Sequence, residues 1–192
     1  LRVEALVTHE VFTIVAPIRD RAASTHLKQI LAEINANPSG NALLPFGKLP
    51  MVHFASFVVF SDPAQEAEAP LLLDHLVFES CIDGPFEAYI DALLQLGRQT
   101  LHELFSGCLG YDTSVASYDG VRAYIVAKRR KPHLLHIGSP GLRVDHIRAG
   151  ASLRRVLDQE LDDVVKRGRS TDRPLDLMRA LRASLKAPAS TR

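Results

Sequence analysis

Residues 49–60 read LPMVHFASFVVF and residues 71–80 read LLLDHLVFES, and how these two runs are read decides the fold. Both are rich in β-branched and aromatic residues, and both are the length of a strand rather than a helix. Between them lies SDPAQEAEAP, Ser61–Pro70, a polar stretch with two prolines. It reads as a hairpin loop joining strands Met51–Phe60 and Leu71–Ser80. Apolar residues occupy both alternating sets of positions in each strand, so the sheet is expected to need cover on both faces.

Working outward, HEVFTIVAPI is a third strand, from about Glu10 to Ala16, that stops at Pro17. Leu27, Ile30, Leu31 and Ile34 then fall on one helical stripe, with Asp20 as its N-cap and Asn35, Asn37 and Pro38 closing it. Beyond the hairpin, a long helix is predicted with Asp83 or Gly84 at its N-cap and Pro85 in its first turn. Phe86, Ile90, Leu93, Leu94, Gly97, Leu101, Leu104 and Phe105 form its apolar face, and Gly107 or Gly110 ends it. Val121, Tyr124 and Ile125 mark a short helix ending in the basic run KRRK. HLLHI, His133–Ile137, reads as a strand, GSPG as a turn, and Arg143–Lys166 as a charged amphipathic helix. A last helix follows Thr171 or Asp172 and ends at Pro188.

The chain of 192 residues is 46% hydrophobic and 23% charged, which fits one globular domain, residues 1–166, with a basic helical tail, 167–192. Neither a membrane-spanning run nor a secretory signal is visible, and Cys81 and Cys108 make no disulfide framework or zinc-binding pattern. A cytoplasmic protein is expected. Net charge is +1, yet Lys166–Arg192 holds eight Lys or Arg against two Asp, a net +6 that leaves −5 for the rest. This tail offers contact to an acidic partner; without aromatics to stack on bases, nucleic acid is not the expected one.

The element order β-α-β-β-α-β, with one extra helix before the last strand, is the split βαβ arrangement. It resembles the ferredoxin-like superfamily of dimeric α+β barrels, in which helices cover one face of an antiparallel sheet and a second copy or a second domain often closes the other. The resemblance implies an α+β fold with extra C-terminal helices, and a homodimer enclosing space for an apolar small molecule. Within that superfamily, SCIDG, Ser80–Gly84, is similar to the G-x-x-D-G motif of dye-decolorising peroxidases, with Ser80 where the first Gly belongs. Those peroxidases and the chlorite dismutases, which the order also resembles, are haem proteins with two such units per chain; here there is room for one. This likeness implies haem as a cofactor and a role for Asp83 beside it. The linked set L-P-x-x-H-F at 49–54, D-G-P at 83–85 and H-I-G-x-x-G at 136–141 resembles a bacterial family that implies no activity.

Among the side chains, His53 and Glu79 are expected to share a surface, since the obvious hairpin register brings them together. A histidine–carboxylate pair orients a tautomer, binds a metal or moves a proton; the same pair also serves as a purely structural hydrogen bond. His136 precedes IGSPG and a helix start, where it reads as a haem ligand or pocket base, and the GSPG turn with Arg143 reads as an anion holder. His133 and His136, three apart on a strand, point to opposite faces, and no metal site is expected. Cys81 reads as a small buried hydrophobe, and Ser56 and Ser80 lack a nucleophile-elbow pattern. With no strong catalytic signature, the expectation is a small-molecule-binding or assembly module. The alternative is a barrel-type oxidoreductase, a haem peroxidase or a cofactor-free oxygenase, working through a cavity histidine.

Overall fold

The computed structural model describes residues 9–61, 73–114 and 116–166. The expected loop residues 62–70, the start of the second hairpin strand and the C-terminal helix lie outside the described residues. The chain divides into two compact units between Val144 and Asp145.

The first unit is α+β, with the ferredoxin-like order and an antiparallel four-stranded sheet. Strand β1, His9–Pro17, leads into helix α1, Arg21–Ala36; β2, Val52–Phe60, and β3, His75–Asp83, form the hairpin; α2 spans Phe86–Ser106 and α3 Tyr118–Lys128; β4 is Arg129–Arg130. The strand order is β2-β3-β1-β4. Helix α4, Val144–Lys166, makes up the described part of the second unit apart from its first residue, and carries an Arg154–Asp158 pair one turn apart at 3.8 Å.

Alternation along the strands sorts the two faces. Phe12, Ile14 and Ala16 of β1 and Leu76, Phe78 and Ile82 of β3 are buried. They meet Leu27 and Ile30 of α1, Ile90, Leu93 and Leu101 of α2, and Val121 and Ile125 of α3 in one core. Burying a side chain of this size contributes roughly 1.5–3 kcal/mol, so this face dominates the stability. Val11, Val15, Val77, Glu79 and Cys81, on the opposite face, are only half-buried. Helices α1 to α3 thus cover one face of the sheet, not both.

Local signals act largely as expected. Asp20 caps α1, its side chain accepting the Ala23 N–H at 2.8 Å. All eight expected apolar positions of α2 are buried, and Gly97 marks a kink where a Cβ would come within 2.4 Å of Leu44 Cδ1. Other expectations need correction. Pro85 is the N-cap of α2 rather than its first helical residue, and with no side-chain cap of its own the helix takes one from β1: Glu10 accepts the Phe86 N–H at 2.8 Å. Strand β3 runs on to Asp83, because the full length of β1 pairs with it, His9 opposite Asp83.

HLLHI is not a strand. Residues 133–137 have no regular structure, and Leu134 is 86% exposed. The fourth strand is the preceding Arg129–Arg130, paired with Thr13 and Ile14. Electrostatics decides this in place of apolar pattern: Arg129 is bonded to Glu10, lies near Glu87 and stacks its guanidinium 4.0 Å from the Phe86 ring centre. Among the described residues, no helix is long and apolar enough to cross a membrane.

Candidate functional site

One irregularity in the sheet creates the site. Val52 pairs with Ile82 but Phe54 pairs with Cys81, so β2 carries one extra residue, His53, at a bulge. Simple alternation would set His53 in phase with Ala55 and Phe57. The bulge instead brings it to the open face, where its Nε2 lies 2.8 Å from Asp83 Oδ1. His9, opposite Asp83 in the β1–β3 register, brings its Nδ1 to 3.3 Å from the same oxygen. The two imidazoles meet edge to face with centres 4.9 Å apart.

The remaining polar atoms come from the turn before α4 and from its first residue, Val144. The Gly141 N–H donates to His9 Nε2 at 3.2 Å, and the Val144 N–H donates to Asp83 Oδ2 at 2.7 Å. These contacts define the proton positions. Nε2 of His9 accepts the Gly141 N–H, which leaves Nδ1 as the ring nitrogen facing Asp83 at 3.3 Å; His53 is hydrogen-bonded to Asp83 through Nε2. Asp83 therefore accepts two hydrogen bonds, from His53 and Val144, has His9 beside it, and serves as the hub.

Asp83 is mostly buried, its side chain 10% accessible, and His9 is more so at 4%. Burial pushes the Asp83 carboxyl up, but the Val144 N–H, the His53 hydrogen bond and the electrostatic attraction of the two neighbouring imidazoles outweigh it and hold the group below its ordinary value. Asp83 is thus ionised. Cys81, on the same face, is pushed the other way, by burial and then by the Asp83 charge, so its thiol stays protonated and is no activated nucleophile. His53, with 19% of its side chain accessible, is the member that solvent or a ligand reaches. One ligand atom from each of His9, His53 and Asp83 lies within 4.8 Å of the others.

The sequence-derived candidates part company here. His53 and Asp83 come together. Glu79 lies on the same face as His53 but opposite Ser56 and Thr13, and the carboxylate bonded to His53 is that of Asp83. His136 and Arg143 are exposed, His136 in a segment without regular structure. A cleft of about 540 Å³ between α1 and β2 is lined by Lys28, Leu31, Phe46 and Phe57 and holds no histidine. His53 Nε2 is hydrogen-bonded to Asp83, and His136 is not among the residues lining this cleft. His9 was missed by sequence reasoning, being one residue outside the expected strand; the signal that finds it is the strand register. The three motifs at 49–54, 83–85 and 136–141 do converge, through His53, Asp83 and the Gly141 N–H around His9.

Compared with protein-family models, curated proteins and solved structures, the chain matches none.

Proposed function

We propose that the chain is a small-molecule-binding or assembly module of the dimeric α+β barrel type, in which a second copy closes over the open face of the sheet. The observation that carries this reading is the apolar character of that face. Phe54, Val58 and Phe60 of the edge strand are 44%, 40% and 59% exposed, on the side that bears half-buried Val11, Val15 and Val77. An apolar sheet face of this kind favours burial, and a two-fold pair of copies is the economical way to bury it. Between the copies, apolar side chains would form the floor of a cavity and His53 with Asp83 its polar end, the usual composition of a small-molecule site.

Sedimentation of the full chain tests the reading, with a dimer expected and a monomer for Val58→Asp. A wild-type monomer at every accessible concentration would overturn it. A second reading, a cofactor-free oxidoreductase of the barrel type, is favoured by the bond from His53 Nε2 to Asp83. That bond orients the ring and leaves Nδ1 to act as a base toward a bound acid. Loss of turnover in His53→Gln with ligand binding retained would select it over simple binding.

A further inference from the structure

We propose that His9, His53 and Asp83 form a binding site for a divalent first-row transition ion of the Zn²⁺ or Fe²⁺ class. The site needs only side chains of one chain, so it stands or falls apart from the dimer. Two imidazoles and one carboxylate are the donor set such ions take when coordination positions are left open for water or a ligand.

The spacing suits an ion. With bonds of about 2.0–2.2 Å, neighbouring donor atoms lie about 2.8–3.1 Å apart in an octahedral shell and about 3.3–3.6 Å apart in a tetrahedral one. Asp83 Oδ1 is 2.8 Å from His53 Nε2 and 3.3 Å from His9 Nδ1, so small side-chain shifts admit the metal. The carboxylate is already oriented for ligation, because Oδ2 is bonded to the Val144 N–H, which leaves Oδ1 directed at both histidines. Approach is through His53, the most accessible of the three.

The hydrogen bonds also predict what the ion displaces. Ligation by His53 Nε2 moves that ring's proton to Nδ1. Ligation by His9 Nδ1 moves its proton to Nε2, where it faces the Gly141 N–H, and a donor–acceptor contact becomes donor against donor. The ion therefore competes with the Gly141 contact, and its binding loosens the turn at 138–142.

Calorimetric titration of zinc chloride into the full-length protein tests the site, together with long-range ¹H–¹⁵N spectra of the imidazoles. One ion per chain is expected. Changes to groups that merely support metal ligands cost about 10–100-fold in affinity, so His9→Ala and His53→Ala, which remove ligands, should cost at least as much, while His136→Ala binds as wild type. In the spectra, His9 should change tautomer and the Gly141 amide should exchange faster. Unweakened zinc binding by folded His9→Ala and His53→Ala, or no binding by the wild type, would overturn the proposal. If the variants do not fold, the wild-type spectra decide, and unchanged His9 and His53 signals in saturating zinc would overturn it equally.

Discussion

Replacing Asp83 with Ala removes the hub on which two N–H donors and the His9 ring converge, and its cost follows from the geometry. The bonds from Val144 at 2.7 Å and His53 at 2.8 Å are short and charge-assisted. Each contributes about 1.5 kcal/mol, the low end for a charged partner, because His53 is partly solvated. The longer His9 contact at 3.3 Å adds less than about 1 kcal/mol. The expected loss is therefore about 3–4 kcal/mol at neutral pH. With a urea m-value of about 2 kcal/mol per molar, the midpoint should fall by about 1.5–2 M. The pH dependence supplies an internal check. Since folding depresses the Asp83 carboxyl, its contribution is fully present above the unfolded value of about 3.9 and is lost as pH falls through the lower folded value. The gap between wild type and Asp83→Ala should accordingly narrow under acid. A midpoint shift below about 0.5 M at pH 7, or a gap that does not narrow on acidification, would refute the reasoning.

Other perturbations bear on other parts of the molecule. Gly97→Ala should destabilise by about 1–3 kcal/mol in urea unfolding, because the new Cβ meets Leu44 Cδ1 at 2.4 Å and Leu43 O at 2.9 Å; an increase in stability, as helix propensity alone would give, would show that the kink relaxes. Glu10→Ala strips the cap from the Phe86 N–H and leaves Arg129 without its bonded carboxylate, a loss of about 2–3 kcal/mol by the same assay, against little change for the exposed Arg154→Gln. Thiol labelling at pH 8 should be slow at Cys81 and slower still at buried Cys108, whose thiol burial pushes up to about 12. Asp83→Asn should speed Cys81 labelling, since removing the negative charge lowers that thiol's pKa; an unchanged rate would remove the electrostatic coupling.

Much of the molecule was legible from local pattern. Asp20 as a cap, the eight buried positions of α2, and the hairpin all follow from side-chain chemistry that acts over one or two turns or one strand. His53 and Asp83 stood out as residues, one for being polar in an apolar strand and the other through its resemblance to a motif. What alternation could not supply is the carboxylate that meets His53: a bulge is a property of two strands, and the extra residue against Cys81 sets His53 beside Asp83 while Glu79 falls opposite Ser56, which nothing in β2 alone specifies.

The sequence by itself determined the element order, the antiparallel α+β class and the buried face, because hydrophobic periodicity and capping are local and additive. Only the tertiary structure decided the site. His9, His53, Asp83, Gly141 and Val144 come from segments up to 135 residues apart, and their meeting depends on register, on the bulge and on the short β4 that Glu10 anchors through Arg129. Those are long-range choices among pairings of similar local propensity, settled by which arrangement satisfies the buried polar groups together.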